Sequence, residues 1–261
     1  MQIHFYKYQG TGNDFVIIDN RDGAVALSRE QVNFLCDRRF GIGADGLMLL
    51  NSHPDYDFEM KYYNADGGES TMCGNGGRCL VKFASDRGIQ RDEYRFIAID
   101  GEHLARIEAN SNVALKMNDV AAVQKESGHY VLNTGSPHYV DLVQDVMDLN
   151  VVEKGRQVRY SETFAKEGIN VNFVEKSGSP DHIIVRTYER GVEDETFSCG
   201  TGVTAAAIVC HQKEGRNTIN VKTKGGNLRV EFEKTATGFQ NIWLIGPAVQ
   251  VFEGTITIEE K

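Results

Sequence analysis

The chain has 261 residues, 41% of them hydrophobic and 25% charged, with 27 glycines and 4 prolines. That composition supports a buried core in one large domain or in two of about 100–150 residues. The formal net charge of −9, without a basic stripe, argues against a nucleic-acid partner, because phosphate binding needs Lys and Arg to displace counterions.

The opening MQIHFYKYQG lacks the charged start and apolar stretch of a secretory signal, and no apolar run approaches the roughly 20 residues of a membrane helix. A cytoplasmic protein with no membrane partner is expected. In chain order, IHFYKY and FVIID read as strands. A helix is predicted from Ser28 to about Arg38, opened by a capping box of Ser28 and Gln31. GIGADG, Gly41 to Gly46, matches G-x-G-x-x-G formally. It follows a helix and enters the strand GLMLL, the reverse of a dinucleotide-binding turn. DFEMKYY is the next strand, then a helix from about Gly74 to Asp86, then the strands YRFIAI and VALKM. The second half predicts the strands HIIVRTY, TINVKT, NLRVEF and FQNIWLI, with a helix from about Gly200 to Gln212.

Five cysteines occur, Cys36, Cys73, Cys79, Cys199 and Cys210. The odd count and the lack of any C-x-x-C argue against a disulfide framework or a structural zinc site, so no metal is expected. Cys79 and Cys210 fall inside predicted helices and read as core packing. Cys73 and Cys199 differ, since each directly precedes a glycine-rich helix start, TMCGNGGRC and FSCGTGV. They lie 126 residues apart. Three further segments match at nearly that offset: YYN around Tyr62 with YER around Tyr188, GIG from Gly41 with GIN from Gly168, and TGNDFV from Thr11 with TGSPHYV from Thr134. The chain therefore reads as two homologous halves, 1–118 plus about 248–261 and 119–247. Each half holds many strands and one prominent helix, which predicts an α+β fold of two pseudo-symmetric domains, each a sheet or barrel wrapped around a central helix.

A helix N-terminus carries unpaired N–H groups and partial positive charge, which favour an anion and lower the pKa of a thiol placed there. Each copy thus offers a reactive thiol beside an anion cradle, and two copies facing one another would hold one anionic substrate between two thiols. Two acid–base groups on opposite faces of one carbon are what stereoinversion needs: one thiolate removes a proton, and the other thiol delivers one to the opposite face. The cradle would stabilise charge spreading into a carboxylate.

GTGNDFVIID, NADGGESTMCGNGGRC, GINVNF, YERG and CGTGV closely resemble the diaminopimelate epimerases, over nearly the whole chain. The resemblance implies the fold shared with proline racemases and a cofactor-independent interconversion of LL- and meso-diaminopimelate in lysine and cell-wall precursor synthesis. It implies that Cys73 and Cys199 are base and acid. Gly74, Asn75, Gly200 and Thr201 would hold the carboxylate at the reacting carbon. Asn13, Asn64, Asn170 and Arg190, with Glu189 beside them, would bind the distal amino-acid end. His138 and Glu189 match residues thought to tune the thiols, and the resemblance makes a homodimer the expected assembly. The chain departs from the pattern at Ser136, where Asn is common, at Gly46, where Gln is common, and at Gly77, where Ala is common. Two alternatives stay open on the residues alone. One is a proline or hydroxyproline epimerase of the same fold, which typically carries His where this chain has Asn75. The other is a non-catalytic amino-acid-binding protein, which would not need two cradled thiols.

Overall fold

The computed structural model describes residues 1–258. The chain divides into two compact units, Met1–Leu115 with the segment from Pro247 onward, and Lys116–Gly246.

The first unit opens on a hairpin of β1 (Gln2–Gly10) and β2 (Asn13–Asp19). Its two-residue turn, Thr11 and Gly12, has φ of 51° and 85°, both in the left-handed region that such a tight reversal requires. Helix α1 (Arg29–Cys36) begins on the expected capping box: Gln31 N–H donates to Ser28 Oγ, and Ser28 N–H donates to Gln31 Oε1. β3 (Gly46–Asn51) then runs parallel to β2, and β4 (Phe58–Asn64) antiparallel to β3. Helix α2 (Gly74–Asp86) follows, and then β5 (Tyr94–Ala98), β6 (Gly101–Ile107) and β7 (Val113–Lys116). β5 is parallel to β4, and the last two strands add antiparallel. β17 (Val249–Thr257), from the end of the chain, pairs antiparallel with β1.

The second unit repeats this order. β8 (Gln124–Glu126) pairs with β9 (His129–Asn133), which pairs antiparallel with β10 (Pro137–Leu142). After helix α3 (Val151–Arg159), β11 (Asn170–Lys176) runs parallel to β10, and β12 (His182–Glu189) antiparallel to β11. β13 (Asp194–Thr196) turns back on β12 just before helix α4 (Gly200–Val209). β14 (Gly215–Thr223), β15 (Gly226–Thr235) and β16 (Gly238–Gly246) complete the series, the first parallel to β12 and the others antiparallel.

Strand alternation sorts the side chains into two layers in each unit. In β3, Leu47 and Leu49 join the cluster around Val32 and Leu35 of α1, while Met48 faces Gly76 of α2. In β11, Val171 and Phe173 pack toward Val151 of α3, so the alternate residues Asn170 and Asn172 face the other way, and Asn172 lies against Gly202 of α4. Helix α4 reads GTGVTAAAIV and is buried almost throughout, as expected for a helix that is apolar all round.

Helix α2 spans the predicted residues, whereas α4 stops at Val209, three residues early, where Cys210 N–H and His211 N–H turn back onto Ala206 and Ile208. Helix α3 has no counterpart in the sequence prediction. Its signal was Asn150 with Glu153: Asn150 Oδ1 accepts the Glu153 N–H and Asn150 Nδ2 donates to the Glu153 carboxylate. The register also corrects the internal alignment. Gly46 pairs with Phe15 as Asn170 pairs with His138, so Asn170 matches Gly46 rather than Gly43. Leu47 pairs with Tyr63 as Val171 pairs with Tyr188, so Glu189, not Arg190, is the counterpart of Asn64. Unequal loops between the strands shift the offset, and only the ladder reveals it.

Candidate active site

The two cysteines of interest occupy one local structure, built twice. Cys73 and Cys199 are the N-cap residues of α2 and α4, with extended backbones (φ −90° and −110°), and neither side chain caps its own helix. Gly74 and Gly200 begin the helices, buried, with their amides at the positive end of the helix dipole. Two residues beyond each cysteine stands a polar side chain, Asn75 or Thr201, and each meets the residue that follows the preceding hairpin turn, Asn13 or Ser136.

In the first unit, Asn75 Nδ2 donates to Asn13 Oδ1 at 3.2 Å, and the Cys73 thiol reaches the same oxygen at 3.6 Å. The Asn13 amide is oriented from behind, because its Nδ2 donates to Asp45 Oδ2 at 2.6 Å. Asp45 and Asp14 share Arg38, and Asp14 also pairs with the buried Lys7 at 2.8 Å. Burial alone would raise the Asp14 carboxyl, but hydrogen bonds from Arg38 and Lys7 outweigh it and hold the group well below the usual carboxylate range. Met72 N–H donates to Asp100 Oδ1, which ties down the segment leading into Cys73. Asn64 is exposed at the end of β4. Gly46 has no space for a side chain, since a Cβ there would lie 2.6 Å from the Tyr62 ring, so in this chain Tyr62 fills the volume beside it.

Arg78, which sequence reasoning passed over, lies one turn into α2 and is fully buried. Its guanidinium donates to Gly74 O, Thr11 Oγ1 and Asn75 Oδ1, while Nε is buried with no partner. No carboxylate forms an ion pair with it among the described residues. Burial pushes its pKa down, and the neighbouring thiols of Cys79 and Cys73 pull it back up; an arginine stays charged under such a balance. Its bond to Thr11 also holds a β-branched residue at φ 51°, strain of the kind that clusters at functional sites. The signal was the arginine itself, in the first turns of the helix beside the apolar run Cys79–Val81.

In the second unit, Cys199 Sγ lies 3.5 Å from Thr201 Oγ1, which meets Ser136 Oγ at 3.2 Å. His138, fully buried, has Nε2 at 3.0 Å from Ser136 Oγ and Nδ1 at 3.1 Å from Asn172 Nδ2. Burial, with the Arg190 charge nearby, pushes the imidazole pKa down to about 3, so the ring is neutral near pH 7. Asn170 donates to Ser136 Oγ and Pro137 O and accepts the Arg190 backbone N–H, so its amide is largely spent on holding neighbours. Arg190 is exposed and donates to Glu167 O, and Glu189 Oε2 accepts from Thr196 Oγ1. Asn172, absent from the sequence reading, was foreshadowed by the alternation of NVNF, which points it the same way as Asn170. The other thiols stay out of this chemistry: burial pushes Cys36 and Cys79 up to about 12, and Cys210 up to about 11.

A doubled unit, each copy built around a central helix, defines a class of fold that solved structures share. A Bacillus anthracis phenazine biosynthesis protein of the PhzF family matches with a TM-score of 0.76 at 16% identity, over 99% of this chain and 100% of that one. A hydroxyproline epimerase from Agrobacterium vitis, solved with trans-4-hydroxy-L-proline, matches with a TM-score of 0.64 at 14% identity, over 98% of this chain and 91% of that one. Sequence narrows the class. The diaminopimelate epimerase family model matches residues 5–123 and 130–251. The diaminopimelate epimerase of Flavobacterium psychrophilum is 50% identical, over 96% of this chain and 99% of that protein, and that of Chlorobaculum tepidum is 43% identical, over 95% and 99%. The chain belongs to the diaminopimelate epimerase family.

Proposed function

We propose that the protein epimerises LL-diaminopimelate to meso-diaminopimelate by two-base proton transfer at one α-carbon, without a cofactor. The observation that carries this reading is the doubled site: two cysteines, each on the N-cap of a central helix, each with a polar side chain two residues on. One thiolate removes the α-proton, and the other thiol supplies a proton to the opposite face. The first-turn amides at Gly74–Asn75 and Gly200–Thr201 bind the α-carboxylate and stabilise the charge that delocalises into it. Asn13, Asn64, Asn170 and Arg190 contact the distal amino-acid end, with Glu189 beside them. Asn170 serves partly by holding the Arg190 backbone. His138 and Glu189 tune the thiols; His138 does so as a neutral hydrogen-bonding group rather than as a cation, in keeping with its burial. Asn75 bonded to Asn13, in place of a histidine after Cys-Gly, favours the acyclic diamino diacid over proline. The protein acts in the cytoplasm as an isomerase of lysine and cell-wall precursor synthesis, as a homodimer and with no nucleic-acid or membrane partner. Among the described residues no helix is long and apolar enough to cross a membrane.

The test is solvent deuterium incorporation at the α-carbon of LL-diaminopimelate by purified protein without added cofactor, with L-proline run in parallel. Exchange into diaminopimelate alone, lost in Cys73→Ala and in Cys199→Ala, is the expected result. Exchange that survives both substitutions refutes the two-thiol mechanism, and exchange into proline refutes the substrate.

A further inference from the structure

The hydrogen bonds behind Cys199 form a chain whose direction is forced link by link. Asn172 Oδ1 accepts from Thr187 Oγ1 at 2.9 Å, and its Nδ2 donates to Tyr139 O at 2.9 Å, so its nitrogen end is the one that faces His138. His138 Nδ1 must therefore accept from Asn172, and the neutral ring carries its proton on Nε2. That Nε2–H donates to Ser136 Oγ at 3.0 Å. The Asn170 amide is fixed in the same way, by the Arg190 N–H on its oxygen and by Pro137 O on its nitrogen, and its Nδ2 also donates to Ser136 Oγ, at 3.2 Å. With two donors on its oxygen, Ser136 has one O–H left to give, and Thr201 Oγ1 lies 3.2 Å away. Thr201 then turns its own O–H to Cys199 Sγ, 3.5 Å away.

We propose that Ser136 is a positioning residue for Cys199: through Thr201 it delivers a hydrogen bond of fixed direction to the sulfur and favours the thiolate. This rests on the two-thiol reading above and adds to it a residue, Ser136, at a position where the chain departs from its family's usual asparagine. A hydroxyl can accept two bonds and pass on a third, so it transmits the polarity set by Asn172 and His138 to the thiol. The unit carrying Cys73 is arranged differently. There Asn13 Oδ1, held as an acceptor by the bond from its Nδ2 to Asp45, faces the thiol instead.

The charged groups near the start of α4 have partners of their own. The first turn of α4 carries no charged residue and β10 brings the neutral His138, while β11 brings, besides its two asparagines, Glu175, which accepts the Val146 N–H, and Lys176, near Cys210 at the far end of α4. On β12 and the turn after it, Glu189 accepts from Thr196 and Arg190 donates to Glu167 O. Arg186 pairs with Glu195 of β13 at 2.7 Å, and Glu195 also meets Lys224.

The experiment is an ultraviolet thiolate titration of Cys73→Ser protein, which reports Cys199, because Cys36, Cys79 and Cys210 titrate at about 11 to 12. Losing a hydrogen bond to a charged sulfur should raise the midpoint by about one pH unit, leaving about tenfold less thiolate at any pH below it. Ser136→Ala and Thr201→Val should both show this shift, and Thr201→Ser should restore the original midpoint. In the Cys199→Ser background, Ser136→Ala should leave Cys73 unmoved. An unchanged Cys199 midpoint in folded Ser136→Ala, or an equal shift at Cys73, overturns the proposal, even if the melting temperature falls. If Ser136→Ala does not fold, the comparison of Thr201→Val with Thr201→Ser decides on the same terms. No substrate is involved, so a failed relay and a failed epimerase reading give separate results.

Discussion

Substituting His138 with Gln tests how the buried imidazole couples folding to pH. Burial holds the native ring near a pKa of about 3, against an unperturbed 6.5. Between those values the unfolded chain binds a proton that the native state refuses. The unfolded state then holds more protons, so stability rises with pH across this window and is complete above about pH 6.5. The gap of about 3.5 units corresponds to at most about 5 kcal/mol, lost at about 1.4 kcal/mol per pH unit on acidification, or about 2 kcal/mol by pH 5. Glutamine does not titrate and keeps a donor for Ser136. Urea unfolding of both proteins at several values between about pH 7 and pH 5 isolates this term, because every other carboxylate and histidine is common to both. The wild type should lose about 2 kcal/mol more than His138→Gln over that range. Parallel pH dependences would refute the claim that His138 is neutral in the fold.

Three further outcomes follow from the geometry. Gly202→Ala would place a Cβ 2.3 Å from Asn172 Oδ1, so it should cost about 2 kcal/mol or more and abolish exchange, whereas Gly178→Ala, with nothing within 4 Å, should be silent in both thermal melting and exchange. Arg78→Met removes a buried cation that has no carboxylate partner among the described residues, so stability should hold within about 1 kcal/mol or rise, while kcat/KM falls on the order of a hundredfold; a matched loss of stability and activity would mark the arginine as structural instead. Asp45→Ala should lower kcat/KM about tenfold by freeing the Asn13 amide to rotate, with little change in melting because the Arg38–Asp45 pair is exposed, and unchanged kinetics would rule out this orienting role.

Local signals were legible wherever a short run of residues specifies its own structure. The Ser28–Gln31 box starts α1, and the glycine-rich turns after Cys73 and Cys199 start α2 and α4 at the predicted residues. The duplication was legible because a repeat needs only self-similarity, and the paired ladders now show it in the order of strands. Less was legible where several partners act at once. Helix α3 contains Gly155, which weakens helix propensity yet is required there, since a Cβ would sit 2.3 Å from Tyr188 Cβ. The relation of Asn170 to Gly46, and of Glu189 to Asn64, depends on strand register, which a linear alignment across unequal loops cannot count.

The sequence by itself determined the two cysteines, the helix starts that follow them and the family, because each is written in contiguous residues. Only the tertiary structure decided what surrounds each sulfur. Arg78 beside Asn75, Asp45 behind Asn13, and the line from Asn172 through His138, Ser136 and Thr201 to Cys199 join residues between 2 and 65 positions apart. Such contacts exist because alternate residues of neighbouring strands face the same helix, and no single stretch of chain encodes that meeting.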